Sequence, residues 1–120
     1  MRCLDTYALM EVSNGNPKFS LLMREDFVIT DPTMAEFYII LRKKHNDQTA
    51  QYWHKKLALF CKPVTRQTLI NAMIFREENK KDEISIFDAV GYTFAIENGY
   101  VFVTGDKEFN NREGVMFLQK

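Results

Sequence analysis

Short apolar runs alternate along the chain with longer amphipathic stretches. The runs Arg2–Asp5, Phe27–Thr30 and Tyr100–Val103 are rich in β-forming residues, which predicts strands. The run Tyr100–Val103 has no polar alternation and is expected to be buried on both faces. Gly114–Leu118 predicts a last strand at a sheet edge, and Cys61–Thr65 is a connection that could hold a short strand.

Apolar residues at helical spacing fill most of the sequence between these runs. The helices that this spacing predicts are Tyr7–Val12, Lys18–Arg24, Pro32–His45, Asp47–Phe60, Thr65–Asn79 and Ile86–Asn98. Ser85 followed by Asp88 fits a capping box, Gly99 fits a helix stop, and Asp31 with Pro32 fits an N-cap and N1 pair. Strands alternating with helices predict an α/β fold with a mostly parallel sheet.

Four acidic residues from separate parts of the sequence are expected at one edge of this sheet. Asp5 closes the first strand, and Asp106 follows the Tyr100–Val103 strand. Asp88 lies at the start of one predicted helix. Glu36 lies early in another, and at a rise of roughly 1.5 Å per residue it is within about 8 Å of that helix's start. Sites in open parallel sheets form beyond the carboxyl ends of the strands, where the helices begin. We therefore expect the four acids to converge there.

Each of these acids also has a structural interpretation. Asp5 could cap the first helix, Asp88 could favour the helix dipole, and Asp106 could close a turn beside Gly105. Glu36 could be a surface residue. As a set, however, four converging carboxylates repel one another, and a bound cation explains such a group best. Oxygen ligands without a neighbouring His or Cys suit Mg²⁺ or Mn²⁺, the ions that serve phosphodiester cleavage.

The composition is that of an ordinary globular chain, and we expect one domain over residues 1–120. Hydrophobic residues make up 46% and charged residues 27%. The formal net charge is zero, which argues against wrapping duplex nucleic acid by bulk charge but permits local basic patches. No run predicts a membrane helix or a signal peptide, so we expect a cytoplasmic protein without membrane association. Cys3 and Cys61 are expected to be reduced thiols.

The four acids lie in four motifs that together span nearly the whole chain. The motifs are Leu4–Thr6, Asp31–Tyr38, Ile86–Val90 and Val103–Phe109. In order and spacing this set resembles the PIN domain family, and within it the toxins of VapBC-type toxin–antitoxin pairs. The specificity of the resemblance lies in the order and spacing of the whole set rather than in any one motif.

The resemblance implies a three-layer α/β/α domain with a central, mostly parallel sheet. It implies an endoribonuclease that uses Mg²⁺ or Mn²⁺ on single-stranded or loop RNA, forms a homodimer and is inhibited by a cognate antitoxin. The metal ligands and the hydroxyl beside them would be Asp5, Glu36, Asp88, Asp106 and Thr104, with Thr6 a further candidate. The ten Phe and five Tyr also favour a homodimer, since so small a core hides them with difficulty. The alternative is a non-catalytic module of this fold that binds nucleic acid or protein.

Overall fold

The computed structural model describes residues 1–120 and contains a five-stranded sheet. The strands are β1 (Arg2–Leu4), β2 (Phe27–Thr30), β3 (Cys61–Lys62), β4 (Val101–Thr104) and β5 (Val115–Phe117). They lie in the order β3-β2-β1-β4-β5, and all four neighbouring pairs are parallel. The α/β prediction is therefore confirmed, with β5 at an edge as expected.

Six α-helices connect or flank the strands. They are α1 (Thr6–Ser13), α2 (Pro17–Ser20), α3 (Asp31–Lys44), α4 (Asp47–Leu57), α5 (Arg66–Glu78) and α6 (Ile86–Glu97). Four 3₁₀ turns complete the structure: Leu21–Arg24, Ala58–Phe60, Lys80–Asp82 and Lys107–Phe109. The predicted helices at 18–24 and 47–60 thus each contain a 3₁₀ turn. None of the helices combines the length and apolarity needed to cross a membrane.

Two helix starts differ in detail from the sequence prediction. Thr30, rather than Asp31, is the N-cap of α3, because its extended backbone lets its side chain accept the N–H of Thr33. Asp31 is the first residue of the helix instead. Ser85 caps α6 as predicted and accepts the N–H of Asp88 at 3.1 Å. The Asp88 carboxylate makes no return hydrogen bond to Ser85, so only half of the predicted capping box forms.

The strands separate two cores, which produces the predicted three layers. Because neighbouring strand residues point to opposite faces, Leu4 and Val103 pack in a core with side chains from α1 to α4. Cys3 and Phe102 pack in the other core, with α5 and α6. The prediction that β4 is buried on both faces is confirmed for Phe102 and Val103, whereas Val101 is 41% exposed.

The parallel register of β1 and β4 defines one edge of the sheet. Leu4 pairs with Val103, and the Asp5 N–H donates to the Val103 carbonyl at 3.2 Å. Asp5 and Thr104 are consequently neighbours where the two strands end. The starts of the helices that directly follow β1 and β2 lie at this carboxyl edge.

Candidate metal centre

Three of the four predicted acids meet at the carboxyl edge of the sheet. Asp5, Asp88 and Asp106 each offer a carboxylate oxygen, and these three oxygens lie within 4.8 Å of one another. Asp5 follows β1, Asp88 lies in the first turn of α6, and Asp106 follows β4. Asp5 is buried and the other two are half-buried. We call these three residues the acid cluster.

The two carboxylate oxygens of Asp5 have different surroundings. Oδ1 accepts the N–H of Ala8 at 2.9 Å and so caps α1. Oδ2 is buried and has no hydrogen-bond partner. The capping interpretation therefore explains one oxygen only. A buried polar atom without a partner costs about 1–3 kcal/mol, and more when charged, so the second oxygen fits a site for a cation.

Burial and like charges raise the pKa values of two acids in the cluster. The pKa of Asp5 is raised to about 7, chiefly by burial and also by the charges of Asp106 and Glu36, against the opposing effects of the Thr104 hydroxyl and the Ala8 N–H. The pKa of Asp88 is also raised well above its usual range, first by burial and then by the adjacent Asp106 carboxyl. Without a cation, the cluster cannot ionise fully near neutral pH.

The residues before Asp106 hold it in place through backbone and steric contacts. Thr104 is completely buried, and its Oγ1 accepts the Asp106 N–H at 3.1 Å. A Cβ atom on Gly105 would overlap the ring of Tyr7, so only glycine allows this close approach. The Asp106 carboxylate makes no capping hydrogen bond to the turn that follows. The turn-closing interpretation therefore does not explain its side chain.

Glu36 lies at the margin of the acid cluster. Its carboxylate is not among the oxygens within 4.8 Å of one another, although its charge raises the pKa of both Asp5 and Asp88. The Thr6 hydroxyl donates a hydrogen bond to Glu36 Oε1. The expected convergence thus holds for three acids, and the fourth is held nearby through a contact that sequence reasoning did not predict. The only indication of this contact in the sequence is the position of Thr6 directly after Asp5.

The donor set suits a hard divalent cation. Every candidate ligand is a carboxylate oxygen, which favours Mg²⁺ or Mn²⁺ over Zn²⁺. Cys3 is two residues from Asp5, but the pKa of its thiol is raised to about 12, chiefly by burial and also by the charge of Asp5. Its thiol donates to the Gly91 carbonyl instead. Cys3 therefore stays protonated and provides no metal ligand.

Residues 2–115 match the PIN domain family. The chain belongs to the PIN domain family. The resemblance predicted from the four motifs is thereby confirmed. PIN domains are generally nucleases and generally use a divalent metal. No protein of curated function matches the sequence significantly.

Solved structures share this PIN fold at low sequence identity. A toxin–antitoxin complex from Klebsiella pneumoniae has a TM-score of 0.80 at 19% identity, over 97% of this chain and 96% of that chain. VapBC2 from Rickettsia felis, bound to promoter DNA, has a TM-score of 0.75 at 16% identity, over 98% and 96%. VapC20 from Mycobacterium tuberculosis, a sarcin-ricin loop cleaving toxin, has a TM-score of 0.73 at 14% identity, over 83% and 85%. These similarities confirm the three-layer fold.

Proposed function

We propose that this PIN domain is a cytoplasmic endoribonuclease that cleaves single-stranded or loop RNA with Mg²⁺ or Mn²⁺. The observation that supports it most is the buried Asp5 Oδ2, which has no hydrogen-bond partner and belongs to a group with the Asp88 and Asp106 carboxylates. A divalent ion, when bound, activates water and stabilises the charge that develops during phosphodiester cleavage.

The surrounding residues orient these oxygens. Asp5, Asp88 and Asp106 would hold the ion, with Glu36 as a fourth acid at the margin. The Ala8 N–H fixes Asp5 by holding Oδ1, which leaves Oδ2 free to bind. Thr104 fixes the backbone of Asp106, and the Thr6 hydroxyl holds Glu36 beside the cluster. The ligands are thus oriented before any substrate arrives.

The proposal is tested by RNA cleavage with purified protein. RNA hairpins, among them one with the sarcin-ricin loop, should be cut in Mn²⁺ or Mg²⁺, remain intact in EDTA, and be cut again after excess Mn²⁺ is added. DNA hairpins of the same sequence serve as controls and should stay intact. Cleavage that persists in EDTA would contradict the metal dependence. Binding of RNA or protein without cleavage in any divalent ion would favour the non-catalytic module.

We also propose that the protein is the toxin of a VapBC-type pair and that an antitoxin inhibits it. The support is the resemblance of its motifs together with solved relatives that include toxin–antitoxin complexes from Klebsiella pneumoniae, Rickettsia felis and Salmonella typhimurium. Covering the acid cluster or the path to it would suffice for inhibition.

We propose in addition that the protein is a homodimer, with the outer face of α5 as a contact. This face carries four exposed apolar residues along a groove of about 480 Å³: Leu69, Ile70, Met73 and Ile74. We call them the α5 stripe. The many Phe and Tyr residues do not form this surface, because Tyr52 is the one aromatic residue among the large exposed hydrophobic side chains. The other exposed hydrophobic side chains are those of Met, Leu, Ile and Val.

The α5 stripe is symmetric in a way that fits a second copy of the chain. Arg66 flanks it at one end and Glu77 at the other, and both line the same groove. The midpoint between them along the helix is also the midpoint of the four apolar residues. Two antiparallel α5 helices related by a twofold axis there would set each Arg66 against the partner's Glu77, and apolar residues against apolar residues. An isologous dimer requires this self-complementarity.

Reversing the charge at one end of the α5 stripe should break the dimer, and mixing two variants with opposite reversals should restore it. The parent should scatter light as about twice 14.1 kDa. Arg66→Glu alone, or Glu77→Arg alone, creates two repulsive pairs and should weaken self-association about ten- to hundredfold. An equimolar mixture of the two variants makes both pairs attractive again and should recover the dimer. Analytical ultracentrifugation measures each species.

The exposed Lys55 on α4 offers a matched control, since Lys55→Glu makes the same change of charge away from α5. That variant should remain dimeric. A monomeric parent would contradict the homodimer. A dimeric parent whose two charge-reversed variants also dimerise would place the interface on another surface.

A further inference from the structure

Two acids of the cluster, Asp88 and Asp106, lie on different segments of the chain. Asp88 lies in α6, and Asp106 follows β4. Each offers a carboxylate oxygen, and these oxygens lie within 4.8 Å of each other. When both carboxylates are ionised and no cation is bound, their repulsion favours separation of the two segments. A contact between the segments away from the cluster would resist that separation.

The Arg112 side chain makes such a contact. Its Nη2 donates to Asp82 Oδ2 at 2.5 Å, and its Nη1 donates to Asn79 Oδ1 at 3.4 Å. Both acceptors belong to the connection between α5 and α6, which leads into the helix of Asp88. Its Nε donates to the carbonyl of Glu108 at 3.0 Å, in the turn directly after Asp106. One guanidinium thus joins the two segments.

The Arg112 guanidinium makes hydrogen bonds at its edges and also packs its flat faces against aromatic rings. The Arg112 Cζ lies 5.3 Å from the ring centre of Phe75 and 5.8 Å from that of Phe109. Phe109 is buried and packs against Phe102 of β4, with ring centres 5.2 Å apart. The Arg112 side chain is 22% exposed, so water screens these contacts less than it screens a surface ion pair. Only arginine combines several N–H donors in one plane with stacking of that plane on aromatic rings.

We propose that Arg112 is a positioning residue for the metal centre. It ties the segment that carries Asp106 to the connection that leads to Asp88, and it thereby keeps two like charges at the spacing that a shared cation requires. Arg112 touches neither the acid carboxylates nor a substrate, so it acts through the backbone of both segments. The inference rests on the proposed function for the presence of the cation.

The test measures Mn²⁺ affinity in the folded protein rather than activity. Arg112→Gln removes the charge and the stacking, and calorimetric titration well below the melting midpoint should show Mn²⁺ bound about 10–100-fold more weakly, as when groups behind metal ligands are changed. Arg112→Lys keeps the charge without the fork and should give an intermediate loss. Arg42→Gln is the control, because it removes an exposed Arg42–Asp47 ion pair of 2.6 Å and should leave the affinity unchanged.

A merely structural role would give a different result. Arg112→Gln would then melt at a lower temperature but bind Mn²⁺ with the parent's affinity, and the inference would be wrong. If Arg112→Gln does not fold, Asp82→Asn weakens the same connection from its other side and should lower the affinity severalfold; an unchanged affinity there also overturns the inference. Absence of Mn²⁺ binding by the parent would instead show that the proposed function fails.

Discussion

Replacing Asp5 with Asn should reduce the rate of RNA cleavage by more than about 100-fold. Changing a group behind a metal ligand costs roughly 10–100-fold, and Asp5 is itself a proposed ligand. The change is selective because the two oxygens of Asp5 have separate roles. The Asn side-chain oxygen can still accept the Ala8 N–H, and Asn is as good an N-cap as Asp, so α1 keeps its start. The amide nitrogen would take the place of Oδ2, and it cannot bind a cation.

A single-turnover cleavage assay in Mn²⁺ measures this effect, and circular dichroism verifies the fold. Asp26→Asn is a suitable control, since it makes the same chemical change at an exposed position and should cleave at the parent's rate. An Asp5→Asn protein that cleaves as fast as the parent would mean that the activity belongs to another site or to a contaminant.

The metal-free protein should lose stability as the pH rises from about 4 to about 7. Folding raises the pKa of Asp5 from 3.8 to about 7, so in this interval the folded state holds a proton that the unfolded state has released. The free energy of unfolding therefore falls with rising pH. Asp88, whose pKa is also raised, acts in the same direction. At about 1.4 kcal/mol per pH unit, the melting midpoint should fall on the order of 10 °C.

Thermal melts in EDTA across this pH range measure the trend, and Mn²⁺ should oppose it. Mn²⁺ is expected to bind the ionised cluster of the folded state, and at a hundred times its dissociation constant it would add about 2.7 kcal/mol of stability. A midpoint that rises with pH in EDTA, with no response to Mn²⁺, would contradict the raised pKa values and the metal site together.

Asp88→Asn separates repulsion from capping in the same experiment. The variant loses an acid at a helix start, worth about 0.3–1 kcal/mol when ionised, but it also removes the cost of holding an ionisable carboxyl buried beside Asp106. Since the Asp88 carboxylate makes no capping hydrogen bond, removal of the cost that raises its pKa should dominate. In EDTA near neutral pH the variant should melt no lower than the parent, and Mn²⁺ should raise its midpoint much less. A lower midpoint in EDTA would support a capping role.

The sequence predicts best where the signals are local. The four-residue run Phe27–Thr30 is a strand with those bounds, and α6 begins after Ser85 and ends before Gly99, whose φ is +69°. The start of α3 was misplaced by one residue because Thr30 and Asp31 are both good N-caps. Backbone geometry, which composition does not reveal, decides between them.

The site could be predicted only in part, because some of its geometry depends on tertiary contacts. Parallel topology brings strand ends to one edge, which was enough to predict that Asp5, Asp88 and Asp106 would meet. Topology does not give distances of a few ångströms, so it did not separate Glu36 from the cluster. The Thr6 hydroxyl that holds Glu36 comes from 30 residues away. The contacts of Arg112 reach back 30 and 33 residues, and no spacing or motif in the sequence indicates them.

The place of β1 in the middle of the sheet has a consequence for protein synthesis. β1 is translated before the other strands, yet it pairs through Arg2 and Val101 with β4, which is translated fourth. Asp5 can therefore meet Asp106 only after both segments have left the ribosome. A nascent chain from which β4 has not yet emerged has no complete acid cluster, so the proposed ribonuclease would be inactive at that stage of its synthesis.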